Sequence, residues 1–354
     1  MMFKMKIFVE LFHGLGDTVC ALPMLKVLRD NYPDAYILIA VKGQAQADII
    51  KSSNIAIDEI IIWNVYKDSL LNNIKTILKL RSYKFDYGIN AVNTPVTKAK
   101  LLMKAVGCKK YIGIQYQINK NFDNLKDKYH FVEANLLAIK PICKLPEMKI
   151  YPKLYVNDES LKKIQKKFLK LNNIKPIIGI CIGNGDFSLK NRWIRTGKVI
   201  TKGWGIENIN ELIKELLKNR YNVVLFGGNQ EKELLRHINM ELLNDKKLLN
   251  LVPATNINES IAAASLCNLV VGIDTGMQHI ASASGARTLS IFGPTNPKMS
   301  GAYADNAEFV EADVACKYCY GTKKYVNCDN RKCLRNISVE ILKNKINELL
   351  IKSK

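Results

Sequence analysis

The sequence predicts an α/β protein built as two doubly wound, mainly parallel sheets, and three observations carry that prediction. From Lys6 to about Ile139, short apolar strands alternate with segments whose apolar residues recur at helical spacing. A stretch holding Pro141, Pro146 and Pro152, from Lys140 to Val156, then interrupts the alternation as a linker does. A second strand–helix series follows, and such an order favours parallel strands joined by helical crossovers. The chain therefore divides into a first domain over residues 1–150, a second over 151–337 and a terminal helix over 338–354.

In the first domain the expected strands are Lys6–Phe12, Tyr36–Val41, Glu59–Ile62, Phe85–Asn90 and Lys110–Ile114. One intervening helix, Ser69–Leu80, presents the apolar face Leu70, Ile74, Ile77 and Leu78. The first strand stops at His13-Gly14-Leu15-Gly16-Asp17-Thr18, where Gly14 and Gly16 allow a sharp bend. Asp17 or Thr18 can cap the helix that runs through Ala21, Leu22, Leu25 and Leu28, with Pro23 in its first turns. An acid at the tip of the first strand–helix loop can act as a general base, because ligands of open α/β sheets gather at the carboxyl ends of strands. The residues alone leave Asp17 open between base and plain cap. A third glycine at the dinucleotide-binding offset is missing.

In the second domain a helix over Glu159–Leu171 leads into strands Ile177–Ile182, Val223–Phe226, Leu248–Asn250, Leu269–Ile273 and Thr288–Phe292, with a helix at Glu207–Leu217. The first of these strands ends in Gly183-Asn184-Gly185, where glycine lets a ligand approach the backbone. The second ends in Phe226-Gly227-Gly228-Asn229-Gln230-Glu231. Leu269 to Pro297 is the most informative stretch. A strand runs into Asp274-Thr275-Gly276, a helix carries His279 on its first turns, and a second strand ends before Pro294 and Thr295. Free N–H groups and the positive dipole end of a helix make such a turn an anion site, most often for phosphate. An ordinary turn with a capping Asp274 and a core His279 is the alternative. Ser338–Ile351 is amphipathic, capped by Ser338 with Glu340 nearby.

The net charge of +21 suits an anionic partner: phosphorylated lipid, an anionic membrane surface or nucleic acid. No nucleic-acid fold signature accompanies it, and abundant Lys, Asn and Ile also fit genomic base composition. No apolar run of about 18 residues is present, and the first residues lack the pattern of a signal peptide. The expected location is the cytoplasm, with contact at the inner membrane face.

Nine cysteines fall into two groups. Cys20, Cys108, Cys143, Cys181 and Cys267 sit in apolar settings and read as buried thiols. Cys316, Cys319, Cys328 and Cys333 form C-x2-C-x8-C-x4-C, a pattern that in a reducing compartment favours a metal over free thiols or a redox disulfide. Four thiolates close a tetrahedral structural site for zinc or iron and leave no open position for catalysis.

Taken together, Gly-Leu-Gly-Asp-Thr-Val-Cys-Ala-Leu-Pro-Met-Leu near the start, Val-Gly-Ile-Asp-Thr-Gly-Met-Gln-His-Ile-Ala-Ser-Ala from Val271, and Phe-Gly-Pro-Thr-Asn-Pro from Phe292 resemble glycosyltransferase family 9. The best-known members are ADP-heptose:lipopolysaccharide heptosyltransferases. The resemblance implies a GT-B fold of two Rossmann-like domains facing each other across a cleft, with the acceptor on the first and the nucleotide sugar on the second. It sends the terminal helix back onto the first domain. It also implies inverting transfer without a catalytic metal, with Asp17 removing the acceptor proton and His13, Gly14 and Gly16 forming the acceptor-side loop.

The donor would meet Gly183, Asn184, Lys202, Glu231, Asp274, Thr275, Gly276 and His279, with Glu231 on the ribose and Lys202 stabilising the leaving diphosphate. Arg192, before Trp193, competes with Lys202, before Trp204, for that last role. The implied donor is ADP-heptose and the implied acceptor the lipopolysaccharide inner core, with a protein hydroxyl as the second acceptor class. Another transferase or an epimerase on the same fold, and a non-catalytic nucleotide-sugar sensor, are the remaining alternatives.

Overall fold

The structure is a computed structural model that describes residues 5–91, 96–113, 129–171, 175–183, 203–326, 328 and 330–351. The chain forms two compact units, Met1–Lys153 and Leu154–Lys354.

In the first unit, β1 (Lys6–Leu11), β2 (Tyr36–Val41), β3 (Glu59–Ile62), β4 (Tyr87–Asn90) and β5 (Lys110–Ile112) pair in the order β3-β2-β1-β4-β5. Every pairing is parallel. Strand β1 is buried along nearly its whole length, as a central strand covered on both faces must be. Phe8, Phe12, Leu38, Trp63, Phe85 and Met103 form one core cluster of this unit.

Helix α1 (Leu15–Asn31) differs from the sequence expectation at its start. Gly14 is the N-cap, Gly16 lies inside the helix, and Asp17 is its third residue rather than its cap. Pro23 therefore falls in the helix interior, where a proline costs about 3 kcal/mol. The buried face formed by Val19, Leu22, Met24, Leu25 and Leu28 offsets that loss. Helices α2 (Gln44–Ser52), α3 (Leu70–Ser82), α4 (Val96–Val106) and α5 (Phe131–Ile139) complete the described part, with α5 packed on α1. The apolar face read for α3 is also corrected. Leu70, Ile74 and Leu78 lie at the surface, Ile77 of the expected face is half-buried, and the helix buries Leu80.

The second unit holds six parallel strands: β6 (Ile177–Cys181), β7 (Asn222–Phe226), β8 (Leu248–Asn250), β9 (Leu269–Ile273), β10 (Thr288–Phe292) and β11 (Ala307–Glu311). Their order is β11-β10-β9-β6-β7-β8. Strand β11 has no counterpart in the sequence reading. It is a half-exposed edge strand, AEFVE, without the apolar run that marks its neighbours.

Helix α6 (Asp158–Phe168) opens with Asn157 capping Ser160 at 2.8 Å, places Asp158 and Glu159 in its first turn and Lys166 and Lys167 in its last, and so matches the helix dipole at both ends. Helix α7 (Ile206–Lys218) buries Ile209, Leu212, Ile213, Leu216 and Leu217 at helical spacing. Gly205 caps it at φ 106°, a conformation that only glycine adopts freely. Helices α8 (Ile257–Ser265) and α9 (Gly276–Ala283) join α6 on one face of the sheet, around Ile164, Phe168, Val224, Phe226 and Val270. The other face takes α7 and the terminal helix α10 (Val339–Ile351).

Helix α10, which the family resemblance sends onto the first domain, belongs to the second unit and packs on its core. Leu342, Ile346 and Leu349 belong to the core shared with α7, and Lys343 pairs with Glu215 at 3.3 Å. The apolar face that the sequence offers is thereby used beside α7.

Candidate functional site

In the first sheet, strand order reverses between β1 and β4, so the loop after β1 lies at the topological switch point where open α/β sheets bind ligands. That loop is built by short hydrogen bonds. Asp17 Oδ2 accepts the Gly14 N–H at 2.9 Å, and Thr18 Oγ1 donates to the Gly14 carbonyl at 3.0 Å. The buried Gln46 side chain donates to the His13 carbonyl at 3.0 Å. His13, Gly14, Gly16 and the half-buried Asp17 are thus brought together in one loop, with the carboxylate turned back across it.

Glu10 was not singled out from the sequence. It is 1% exposed, faces Asn90 across the β1–β4 register and accepts the Phe12 N–H at 2.8 Å. Its signal was a carboxylate within an otherwise apolar, fully covered strand. A charge in such a place needs partners, and here it shapes the end of the strand before the loop.

The second sheet reverses between β6 and β9, so the loops after those strands flank its switch point. Gly183 follows β6, and a Cβ there would lie 2.5 Å from Glu231 Cγ and 3.0 Å from Leu234 Cδ1. Gly227 is equally tight, with a Cβ position 2.9 Å from Glu231 Cβ. Glu231 thus fills a cradle that only glycines leave open. It is 6% exposed, and its Oε2 accepts the Gly228 N–H at 2.8 Å.

Across the crevice, Thr275 caps α9, its Oγ1 accepting the Met277 N–H at 3.2 Å. Gln278 N–H donates to the Thr275 carbonyl at 3.1 Å, which leaves the Gly276 N–H, with no carbonyl one turn back, as the group that the start of α9 offers to an anion. Asp274 and His279 are buried beside this turn. Gln278, also missed from sequence, is 1% exposed and ties α9 to two strands, β6 and β10. Its amide donates to Cys181 Sγ at 3.6 Å and accepts from Ser290 Oγ at 3.1 Å. Burial pushes the Cys181 thiol up to about 12, so this sulfur stays protonated and structural. Cys20, Cys108, Cys143 and Cys267 are likewise buried and outside any disulfide.

The loop after β10 carries Pro294 and Thr295. Thr295 is 7% exposed, and its Oγ1 has no partner among the described residues. The cysteine segment is fastened to this loop: Tyr318 N–H donates to the Gly293 carbonyl at 3.0 Å and Tyr320 N–H to that of Pro294 at 2.8 Å. Glu311, at the end of β11, accepts from both Lys317 and Tyr318 and anchors the same segment. Cys316, Cys319, Cys328 and Cys333 line one cavity of about 430 Å³ with Lys323, Lys324 and Arg331. Among the described residues, no three side chains of ligand type stand close enough to hold an ion.

Asn184, Lys202 and its competitor Arg192 lie outside the described residues. Trp204, which marks the Lys202 alternative, is buried and donates its indole N–H to the Ile337 carbonyl at 2.8 Å. No helix among the described residues is long and apolar enough to cross a membrane.

With this geometry in hand, comparison with known proteins gives concordant results. The sequence profile described as "Glycosyltransferase family 9 (heptosyltransferase)" matches residues 74–328. Lipooligosaccharide heptosyltransferase 2 of Campylobacter jejuni is 26% identical over 345 residues, which is 95% of each chain. Two solved structures align over 99% of both chains. They are a family 9 glycosyl transferase from Veillonella parvula, with a TM-score of 0.78 and 19% identity, and the E. coli ADP-heptose LPS heptosyltransferase II, with 0.73 and 21%. Likeness along the whole chain shows the GT-B fold.

Proposed function

This chain belongs to glycosyltransferase family 9 and is a glycosyltransferase, and from that premise we propose that it moves a heptose from ADP-heptose to a hydroxyl of the lipopolysaccharide inner core. The observation that carries the reading is the pairing, at the switch point of the second sheet, of Glu231 in its glycine cradle with the open N-terminus of α9. A fixed carboxylate suits the vicinal hydroxyls of a ribose, and a helix N-terminus suits a diphosphate.

Asp17 takes the proton of the attacking acceptor hydroxyl. The backbone N–H groups of Thr275 and Gly276 meet the charge that gathers on the leaving diphosphate, and Lys202 adds a cation there. Losing one such donor costs about 10²–10³ in rate. Asp274 and His279 hold the sugar side of the donor, and Gly183 and Asn184 line the phosphate approach. No catalytic metal takes part.

The four cysteines, which line one cavity, would have to draw closer together to hold a structural zinc or iron ion. Their donor set fits a soft cation, and their segment is already bonded to the Gly293–Thr295 loop, so the ion would brace that loop and not the reacting atoms. The acceptor lies on a lipid, and the enzyme works in the cytoplasm at the inner membrane face.

The test is transfer measured with purified protein, ADP-heptose and heptose-free core lipid. Heptosylated product together with ADP is the expected outcome. Turnover with a UDP-sugar in place of ADP-heptose, or loss of donor without any acceptor, would discard the reading.

A further inference from the structure

The sequence reads α3 as a helix that buries Leu70, Ile74 and Leu78, yet the structure leaves all three at the surface. Leu70 is 77% exposed, Leu71 68% and Leu78 61%, and positions 70, 74 and 78 form one stripe along the helix. Helix α4 runs beside α3 in the same direction. Lys98, near its start, lies 5.7 Å from the Tyr66 ring just before α3, and Arg81, near the end of α3, donates to the carbonyls of Lys104 and Ala105. Leu101 on α4 is 71% exposed and Tyr66 70%.

Neither helix contains an acidic residue. The exposed cations Lys75, Lys98, Lys100 and Lys104 lie on the same two helices as the apolar stripe. We propose that this α3–α4 face docks on an anionic phospholipid bilayer, lying in the interface with its leucines at the acyl boundary and its lysines among the headgroups.

Two physical arguments select that occupant. An apolar stripe flanked by lysines is the arrangement that binds anionic interfaces, where each added cation and each buried apolar side chain strengthens binding. A second copy of this chain is disfavoured, because a two-fold contact through this face sets lysines against lysines. The inference deepens the proposed lipid-borne acceptor and rests on that reading for its purpose. Vesicle binding and sugar transfer are therefore measured separately.

The experiment is co-sedimentation of the full chain with phosphatidylethanolamine vesicles containing about 25% phosphatidylglycerol, and with phosphatidylcholine vesicles, at about 0.15 M salt. Wild type is expected on the anionic vesicles only. Leu71→Asn with Leu78→Asn, and separately Lys75→Gln with Lys100→Gln and Lys104→Gln, should each weaken that binding about tenfold or more. Both sets alter exposed side chains, and unchanged thermal unfolding shows that the fold persists.

Removing three exposed lysines elsewhere, Lys162, Lys166 and Lys170, should leave most of the binding in place. Equal loss in that control would assign the attraction to overall charge and overturn the proposal. So would full binding by both face variants, failure of wild type to bind, or a wild-type dimer that the leucine variant splits. Transfer to a delipidated acceptor fragment reads the catalytic proposal alone. Activity there without vesicle binding sinks only the docking face, and vesicle binding without activity sinks only the proposed reaction.

Discussion

Replacing Gly183 by alanine probes whether Glu231 is held where a nucleotide ribose would meet it. The new Cβ would lie 2.5 Å from Glu231 Cγ and 3.2 Å from its Oε1, against an ordinary contact of 3.4 Å or more. Something must shift by about 1 Å, and overpacking of this kind costs about 1–3 kcal/mol. Gly183 is not among the positive-φ glycines, so the cost is steric and not a matter of backbone strain. The flexible part that can move is the Glu231 side chain, at the expense of its 2.8 Å bond from the Gly228 N–H.

At 1.4 kcal/mol per tenfold, ADP affinity should fall between about fivefold and a hundredfold. The unfolding midpoint in urea should fall by an amount that matches the same cost. Glu231→Gln is the companion variant: it keeps an acceptor for Gly228 but loses the charge, so stability changes little while preference for ADP over 2′-deoxy-ADP shrinks. Wild-type ADP affinity in a destabilised Gly183→Ala protein would refute the assignment of Glu231 to the nucleotide. No change in either quantity would refute the packing argument itself.

Three further outcomes follow from the same geometry. Asp17→Asn retains an oxygen that can accept the Gly14 N–H, so the loop should stay folded while turnover falls by about 10²–10⁴; near-normal turnover would remove Asp17 as the base. Glu259 is buried near the start of α8, and although burial raises its pKa, its bonds from Lys163 and the Asn256 N–H leave it below the usual value. A carboxylate depressed in the folded state contributes stability above its unfolded pKa and loses it as pH falls through the folded value. Glu259→Gln should therefore cost about 1 kcal/mol near neutrality, and the difference should shrink in acid unfolding as pH falls through the depressed folded value. Purified protein should carry zinc or iron at one ion per chain by elemental analysis. Cys333→Ser should abolish it and lower stability by about 2–3 kcal/mol at saturating metal, whereas metal-free wild type of full stability would exclude the site.

The strands of both central sheets were legible because parallel strands covered on both faces leave dense apolar runs. Tyr36–Val41, Leu269–Ile273 and Thr288–Phe292 begin and end in the structure where the sequence places them. Edges and surfaces were less legible. Strand β11 is half-exposed almost throughout, and α3 has a helical apolar period that says nothing about which side meets a core. Periodicity identifies an amphipathic helix, but the partner of its apolar face is a tertiary fact. That is why α3 was given the wrong buried face.

The site divides along the same line. Asp17, Glu231, Asp274 and Thr275 could be singled out as candidates because strand ends and glycine turns concentrate them in short motifs. Glu10 and Gln278 were not, because their importance lies in burial. Glu10 closes the strand before the Asp17 loop, and Gln278 joins the strands carrying Cys181 and Ser290 beneath the Thr275 turn. Each is a polar group that the interior tolerates only when bonded, so each makes the geometry of its loop depend on the sheet below. Motifs thus single out the groups proposed to meet the substrate, while their positions are set by buried polar residues one layer down. Substitutions at Gln278 should consequently weaken donor binding without removing any group that touches the donor.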